Sequence, residues 1–149
     1  MNLADADATR AIGARLGALV QGGDCIALIG DLGAGKTTLV TGFAAAIGAG
    51  TAASPTFSLV NEYVGGRLIV WHVDLYRIER EAELVELGLE EMLGDQRGVC
   101  VVEWADKFRV MPADYLMIEL AHDGDTRSLT ATGTGPRGQA LAALLQQAQ

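Results

Sequence analysis

The sequence of residues 30–37 is Gly30-Asp31-Leu32-Gly33-Ala34-Gly35-Lys36-Thr37. It matches the pattern G-x-x-x-x-G-K-[ST] at every specified position. The apolar residues 25–29 before it predict a strand buried on both faces, and residues 36–47 after it predict a helix that ends at Gly48. This order of strand, glycine-rich loop and helix is the setting in which the pattern binds phosphate.

The residue types in this loop suit the phosphates of a nucleoside triphosphate. Glycine lets the backbone approach phosphate oxygens closely, so that several N–H groups and the positive end of the following helix face the negative charge. Lys36 is expected to contact the β and γ phosphates, and the Thr37 hydroxyl is expected to bind Mg²⁺. The alternative is a glycine-rich turn that only joins a strand to a helix. It is disfavoured because Lys36 is one of two lysines in the whole chain.

Two acidic residues follow strands that belong beside this loop. Asp74 follows the β-rich residues 67–73, and Glu103 follows the apolar residues 99–102. Ligands of open α/β sheets collect beyond the carboxyl ends of the strands, and phosphoryl transfer needs groups that hold the metal and orient the attacking water. Both residues are candidates for these roles. The alternative for each is a solvated residue at a strand end.

Three further features near the loop leave more than one interpretation open. Thr56, in Ser54-Pro55-Thr56-Phe57, lies where many nucleotide hydrolases keep a segment that senses the γ phosphate, but a proline that starts a strand explains the same residues. Trp104 either borders the nucleotide or packs in the core. His72 and His122 are interpreted as structural or surface residues without a catalytic role.

The remaining pattern predicts an α/β protein with a mixed parallel and antiparallel sheet flanked by helices. Residues 9–20 predict an amphipathic helix, and residues 57–64 and 67–73 predict an antiparallel hairpin that turns at Gly65-Gly66. The other predicted elements are a helical segment at 79–93 interrupted at Gly88, a second central strand at 99–102, a strand pair at 115–120 and 127–131, and a helix at 139–145. Because the sequence shows no internal repeat or linker, residues 1–149 are expected to form a single P-loop domain.

Composition narrows the classes of function. The 149 residues are 50% hydrophobic and 20% charged, which is typical of a globular domain with a sizeable core. The formal net charge of -8 gives no positive field for nucleic acid or an anionic membrane, so an RNA partner must be reached indirectly. Cys25 and Cys100 lie in apolar runs typical of buried strands, and no apolar run in the sequence has the ~20 residues of a membrane span. We therefore expect a cytoplasmic protein that binds neither DNA nor a membrane.

Four motifs occur in an order that is typical of one bacterial family. They are Gly-Asp-Leu-Gly-Ala-Gly-Lys-Thr-Thr at 30–38, Ser-Pro-Thr-Phe at 54–57, His-Val-Asp-Leu-Tyr-Arg at 72–77 and Glu-Trp at 103–104. Over about residues 8–135 the chain resembles the TsaE family, also called YjeE, the ATPase component of tRNA threonylcarbamoyladenosine synthesis. The phosphate loop is generic, and the other three motifs together make the resemblance specific.

The resemblance implies a compact P-loop fold, binding of ATP and Mg²⁺, and slow ATP hydrolysis that depends on partner proteins. Thr37 and Glu103 would bind Mg²⁺, Thr56 would belong to a switch-like segment, and Asp74 would orient water or act as the catalytic acid. The implied nucleotide-binding residues are Gly33, Ala34, Gly35, Lys36, Thr37, Thr38 and Trp104.

The same resemblance implies partners. They are TsaD and TsaB, the subunits that transfer the threonylcarbamoyl group to an adenosine adjoining the anticodon of certain tRNAs. A TsaE protein does not perform that transfer, and its ATP hydrolysis is thought to reset the complex between turnovers. The chain would therefore contact tRNA only through the complex, which reconciles a tRNA pathway with the net charge of -8.

Three other classes of nucleotide-binding protein share the phosphate loop. A small P-loop kinase for a metabolite usually has an arginine-bearing lid, and no arginine-rich insertion follows residues 99–102. A signalling GTPase normally carries Asn-Lys-x-Asp, which Ala105-Asp106-Lys107-Phe108 does not supply. A nucleotide-binding module without enzymatic activity is the third class. We expect a partner-dependent ATPase, with the metabolite kinase as the alternative.

Overall fold

The computed structural model describes residues 1–31, 35–51 and 59–147, and these residues form one eight-stranded sheet with helices on both faces. The strands are β1 (Asn2–Leu3), β2 (Cys25–Gly30), β3 (Gly50–Thr51), β4 (Val60–Val64), β5 (Ile69–Asp74), β6 (Gly98–Glu103), β7 (Tyr115–Asp123) and β8 (Thr126–Thr134). The helices are α1 (Ala6–Leu19), α2 (Lys36–Ile47), α3 (Glu81–Leu87), α4 (Leu89–Gly94) and α5 (Gly135–Gln147), with a 3-10 helix at Ala105–Lys107.

The middle of the sheet is parallel and both margins are antiparallel. The strand order is β1-β8-β7-β2-β6-β5-β4-β3, in which β7, β2, β6 and β5 run in one direction. The hairpins β7–β8 and β4–β5 supply the antiparallel margins, and the two-residue strands β1 and β3 lie outermost. β2 therefore lies inside the sheet with parallel neighbours on both sides, and all of these strands end at the same edge.

Alternate residues of β2 enter two separate cores. Ile26 and Leu28 pack with α1, α2 and α5 on one face of the sheet, and Ala27 packs with α4 and the 3-10 helix on the other. All three side chains are buried. Because both faces of β2 are covered, its sequence is a continuous apolar run and does not alternate.

The helices α1 and α2 touch each other at glycines. A β-carbon on Gly13 would lie 2.1 Å from the Leu39 carbonyl oxygen, and one on Gly42 would lie 2.1 Å from the Arg10 carbonyl oxygen. Any larger residue at these positions would push the two helices apart. Since α2 begins at Lys36, this close contact helps to place the phosphate-loop lysine at the edge of the sheet.

The predicted fold class is confirmed, and the differences lie at the ends of elements. α1 begins at Ala6, three residues before the predicted start, because the Asp5 side chain accepts a backbone hydrogen bond and caps the helix there. The first hairpin strand begins at Val60, and residues 57–58 of the prediction lie outside the described residues. β1 and β3 were not predicted because a two-residue strand carries no periodicity.

Two smaller predictions, the helix break at Gly88 and the burial of the two cysteines, are confirmed as well. The helical segment at 79–93 is divided into α3 and α4 at Gly88, whose φ of 77° is left-handed. Cys25 and Cys100 are buried free thiols on β2 and β6. In the part of the chain that the structure describes, no helix combines the length and the apolar character that crossing a membrane requires.

Candidate functional site

A cavity of about 350 Å³ opens at the carboxyl edge of the parallel strands, beside the start of α2. Most residues that the sequence singled out for a site line this cavity. Gly33, Ala34 and Thr56 lie outside the described residues. The lining residues are Gly35, Lys36, Thr37, Thr38, Asp74, Tyr76, Glu103, Trp104 and Arg127.

The register of the sheet brings the two predicted carboxylates together. β5 and β6 are parallel neighbours, and Asp74 pairs with Glu103 where both strands end. β6 also pairs with β2, whose last residue, Gly30, begins the phosphate loop that leads to Lys36. Residues that are far apart in the sequence therefore meet at one edge, as the strand-end argument predicts.

The start of α2 has backbone N–H groups without a side-chain cap, a feature that suits an anion. Gly35 has a φ of 105°, a left-handed conformation that glycine adopts readily. Its carbonyl oxygen accepts the first hydrogen bond of the helix from Leu39 N at 2.9 Å. Among the described residues, no side chain caps this turn, so its N–H groups and the positive end of the helix are available to an anion.

Glu103 is buried between two basic side chains. It is 8% exposed, with Lys36 Nζ at 3.3 Å from Oε1 and His72 Nε2 at 2.5 Å from Oε2. Burial alone would raise the pKa of Glu103, but the hydrogen bond and charge of His72, together with Lys36, hold this pKa below its usual range. Glu103 is therefore an ionised carboxylate inside the protein, and the ionised form is the one that binds a metal.

His72 was interpreted as a structural or surface residue, but it contacts the candidate metal ligand Glu103. It is buried on β5, and within the described ranges its Nδ1 has no hydrogen-bond partner. A signal for this placement was present in the sequence. Residues two apart on a strand share a face, so His72 lies on the same face as Asp74.

Asp74 is exposed at the end of β5. Its Oδ1 accepts a hydrogen bond from Tyr76 N at 3.0 Å, which orients the side chain at the cavity wall. Its Oδ2 has no hydrogen-bond or ion-pair partner among residues 1–31, 35–51 and 59–147. A carboxylate that is held by one oxygen and open at the other is suited to orienting a water molecule.

Trp104 has a strained backbone at the wall of the cavity. Its φ of 61° makes it the only described residue other than glycine with positive φ, which costs a bulky residue about 1–2 kcal/mol. The ring centroid lies 5.0 Å from Lys36 Nζ and 5.1 Å from the ring centroid of Tyr76. This conformation places the indole beside the phosphate-loop lysine, and the ring also packs against the core on that face of the sheet.

The donors around the cavity fit a magnesium ion. Mg²⁺ prefers oxygen ligands and is usually held by one or two protein groups together with waters and substrate phosphates. The Thr37 hydroxyl and the Glu103 carboxylate are such donors, and Asp74 adds a further carboxylate on the same wall. Among the described residues, His, Cys, Asp and Glu form no cluster of three or more that would cage a metal without substrate. The donor set therefore suits a metal that arrives with phosphates.

Tyr76 and Arg127 line the cavity without having been assigned a role from the sequence. Tyr76 packs against Trp104. Arg127 comes from β8, on the opposite side of β2 from Asp74. An arginine in a strand of an outer hairpin gives no separate sequence signal, because solvent-facing strand residues are polar as well.

A second cavity, of about 400 Å³, lies away from this edge, between α3, α4 and residues 109–110. Its wall is apolar at Leu84, Val85 and Leu89. Its charged lining residues are Glu81, Glu90, Glu91 and Arg109. Three carboxylates against one guanidinium repel phosphate, so this cavity does not compete as the nucleotide site.

Comparisons with known proteins agree with the sequence and the geometry. The family model described as "Threonylcarbamoyl adenosine biosynthesis protein TsaE" matches residues 3–129. The tRNA threonylcarbamoyladenosine biosynthesis protein TsaE of Bacillus subtilis (strain 168) is 43% identical over 136 residues, which cover 89% of this chain and 84% of that protein. The protein of the same name from Nostoc sp. (strain PCC 7120) is 40% identical over 137 residues, which cover 87% of this chain and 81% of that protein.

A solved structure is similar over almost the whole chain. The crystal structure of Bacillus subtilis YdiB aligns with a TM-score of 0.82 and 35% sequence identity, covering 99% of this chain and 93% of that one. The predicted P-loop fold with a mixed sheet is thereby confirmed. The family match includes the elements that carry Lys36, Asp74 and Glu103. The chain belongs to the TsaE family, which takes part in threonylcarbamoyladenosine biosynthesis.

Proposed function

We propose that this protein is a Mg²⁺-dependent ATPase that supports the synthesis of threonylcarbamoyladenosine in tRNA, acting on a TsaD and TsaB-type assembly by a hydrolysis-driven conformational cycle. The observation that carries the proposal is the cavity beside α2, where a helix N-terminus, a buried lysine and two carboxylates meet. Phosphate, a divalent cation and an attacking water each need one of these groups. The family's place in threonylcarbamoyladenosine biosynthesis supports the pathway.

Binding of the nucleotide exchanges the partner of Lys36. In the structure Lys36 is 7% exposed, and its ammonium pairs with Glu103 at 3.3 Å. A buried ammonium needs a counter-charge, so the β and γ phosphates can replace Glu103 only by taking over that charge. The exchange leaves one oxygen of Glu103 available to Mg²⁺, together with the Thr37 hydroxyl. Glu103 and Thr37 would hold the metal, which would supply positive charge beside the phosphates.

Asp74 orients the water that attacks the γ phosphorus. A bond from the water oxygen to phosphorus forms while the bond to the β–γ bridging oxygen breaks, and ADP leaves with that electron pair. The proton of the water passes to the Asp74 carboxylate and from there to solvent, to which Asp74 is exposed. Trp104 borders the nucleotide from the side of Lys36.

Partner proteins carry the contact with tRNA. The net charge of -8 repels the phosphate backbone, so this chain does not itself bind RNA or DNA. Contacts to the γ phosphate that order a segment, and release it on hydrolysis, are the physical basis of such a cycle. Thr56 is the proposed sensor in that segment. The free thiols Cys25 and Cys100 suit the reducing cytoplasm, where we place the activity.

The test compares ATP turnover in Mg²⁺ for the protein alone, with a TsaD and TsaB pair, and with candidate small acceptors. We expect slow hydrolysis alone and faster hydrolysis with the pair. Asp74→Asn should remove turnover and keep ATP affinity, whereas Asp95→Asn, which removes a carboxylate at the other edge of the sheet, should change neither. Phosphate appearing on a small acceptor, with no effect of the protein pair, would replace the ATPase by a metabolite kinase.

A further inference from the structure

Arg127 brings a second basic side chain to the cavity from the hairpin side of the sheet. It lies near the start of β8 and lines the cavity together with Gly35 and Lys36. Its Nη1 atom stands 3.6 Å from the position that a β-carbon on Gly35 would take. The guanidinium therefore reaches the end of α2 at which the phosphate loop joins the helix.

The strand order places Arg127 opposite Asp74. In the order β8-β7-β2-β6-β5, each of these residues lies two strands away from β2, on either side of it. Neighbouring strands are about 4.8 Å apart, so β8 and β5 lie about 19 Å apart across the sheet. The phosphate loop follows β2, so its helix begins between them. Arg127 closes the side of the cavity that Asp74 and Glu103 leave open.

Among the described side chains, Arg127 has a positive charge without an ion-pair partner. The N-terminus of a helix has a positive partial charge, so a guanidinium beside it is repelled unless an anion lies between them. Glu103 neutralises Lys36. Among the side chains that the structure describes, which do not include that of Asp123, no carboxylate pairs with Arg127. Four other arginines have acidic partners: Arg10, Arg80, Arg97 and Arg137. An anion between Arg127 and α2 would turn this repulsion into two attractions.

We infer that Arg127 binds the phosphate chain of the nucleotide, on the side that faces away from Glu103. The inference rests on the proposed function, since it takes a nucleotide as the occupant of the cavity. A guanidinium offers parallel N–H donors that match two oxygens of one phosphate, which an ammonium does not. Lys36 and Arg127 then hold the phosphate chain from two directions, and Arg127 is a binding residue of this site.

The fold holds the backbone of Arg127 from both sides. Its Cα is paired with Leu3 of β1 and with His122 of β7. Two residues further on, Leu129 is buried in the core, and its carbonyl oxygen accepts a hydrogen bond from the amino terminus of Met1 at 3.0 Å. A side chain on a strand that is paired on both sides loses less freedom when it binds. The short strand β1 thus supports the binding residue.

The test measures binding of Mg-ATP and of inorganic tripolyphosphate by calorimetry. Arg127→Gln should weaken both by about 10- to 100-fold, because a hydrogen bond between charged groups is lost. Arg127→Lys keeps the charge without the paired donors and should lose less. Arg97→Gln is the matched control, since Arg97 is an exposed arginine just before β6, at the opposite edge, and should bind both probes as the unaltered protein does.

Each other outcome has a distinct meaning. Unchanged affinity of Arg127→Gln for both probes overturns the inference and leaves the proposed ATPase intact. A loss confined to ATP, with tripolyphosphate binding unaltered, assigns Arg127 to the base or ribose and overturns the phosphate contact. An unaltered protein that binds neither probe overturns the proposed function and this inference together.

A measurement on the unaltered protein covers the case in which Arg127→Gln does not fold. Phenylglyoxal modifies accessible guanidinium groups, and mass spectrometry reports the modified fraction at each arginine. We expect tripolyphosphate to protect Arg127 from modification and to leave Arg97 reactive. Equal modification of Arg127 with and without tripolyphosphate, in a protein that binds it, overturns the inference.

Discussion

At opposite edges of the parallel strands, Asp24 and Glu103 each face a basic side chain inside the protein. Asp24 directly precedes β2, and Glu103 ends β6. Arg137 donates three hydrogen bonds to the Asp24 carboxylate, from Nε to Oδ1 at 3.0 Å and to Oδ2 at 3.3 Å, and from Nη2 to Oδ2 at 3.0 Å. Lys36 approaches Glu103 through one contact at 3.3 Å.

The surroundings of the two pairs also differ, because the pair with more direct contacts makes more hydrogen bonds to its neighbours. Asp24 also accepts the Gln21 N–H at 2.7 Å, and Arg137 also donates to the Leu19 carbonyl oxygen at 3.0 Å. Both side chains of Asp24 and Arg137, the amino-edge pair, therefore make further hydrogen bonds. The pair connects α5 and the end of α1 to the sheet. Asp24 and Arg137 line a small cavity of about 120 Å³, whereas Lys36 and Glu103 border one of about 350 Å³ that an anion can enter.

The effect of an ion pair depends on the other bonds that its two side chains make. When both side chains of a buried ion pair make further hydrogen bonds, removing one side chain breaks several bonds at once. Such a pair mainly contributes to the stability of the fold. A pair with one direct contact beside a cavity can exchange partners at small cost, so it acts on binding. Substitutions at one edge at a time separate these two consequences.

The largest effect on stability is expected at the amino edge. Arg137→Leu leaves the Asp24 carboxylate buried without its cation, which should lower the free energy of unfolding by about 3 kcal/mol. Urea titration followed by circular dichroism measures this change. ATP affinity should stay the same, because Arg137 lies at the far edge from the cavity. Arg97→Leu, at an exposed pair, should change stability much less, and an equal loss in both variants would contradict the comparison.

A substitution at the carboxyl edge should change ATP affinity more than stability. Lys36→Met removes the phosphate-binding charge, so ATP affinity should fall by at least about 100-fold, which corresponds to about 2.7 kcal/mol. Stability should fall by less than in Arg137→Leu, because Glu103 keeps its hydrogen bond with His72. Calorimetric titration with Mg-ATP and urea unfolding give the two numbers. Unchanged ATP affinity would remove Lys36 from the site.

Much of the fold was predictable because it is local in sequence. The bounds of α2 follow from the lysine after Gly35 and from Gly48, and the buried run of β2 is visible without any partner strand. β1 and β3 are two residues long, and their existence depends on pairing with β8 and β4. Such edges are properties of the assembled sheet and leave no periodic pattern.

The residues of the candidate site form two similar groups, those that the sequence marks and those whose roles depend on the assembled sheet. Lys36, Asp74 and Glu103 were predictable because a motif and two strand ends mark them. Arg127 was not, since its role depends on which atoms it reaches across the sheet. For His72, the alternation along β5 indicates its face but not its contact with Glu103. His72 meets Glu103 from the neighbouring strand β5, and Arg127 reaches Gly35 from β8, two strands away from β2.

His72 provides the next prediction, a smaller effect at the carboxyl edge. His72→Leu removes the hydrogen bond that orients Glu103, so the Mg²⁺ concentration for half-maximal ATP turnover should rise about tenfold. His72→Gln places an amide near the position of Nε2 and should recover most of the loss. Turnover measured against Mg²⁺ concentration gives the shift. Equal requirements in the leucine and unaltered proteins would mean that Glu103 needs no support from His72.

The smallest effect concerns the thiol of Cys25, next to the amino-edge pair. Burial, followed by the charges of Asp24 and Asp114, raises the pKa of Cys25 from 9.0 to about 11. Its Sγ also donates a hydrogen bond to the Leu93 carbonyl oxygen at 3.2 Å. The protonated thiol therefore stabilises the folded state below pH 9, and this contribution is lost as the pH rises through about 11.

The alkylation rate of the Cys25 thiol measures how far solvent reaches into the protein beside Asp24 and Arg137. In a Cys100→Ala background, iodoacetamide at pH 8 should label Cys25 more than about 100-fold more slowly in the folded protein than in urea, because only the thiolate reacts. Glu103→Gln should leave the folded rate unchanged, since burial, Asp24 and Asp114 account for the shift. Labelling of the folded protein with a midpoint near pH 8.5 would show that water reaches Cys25. The amino edge would then be as open to exchange as the carboxyl edge, and the contrast between the two pairs would not hold.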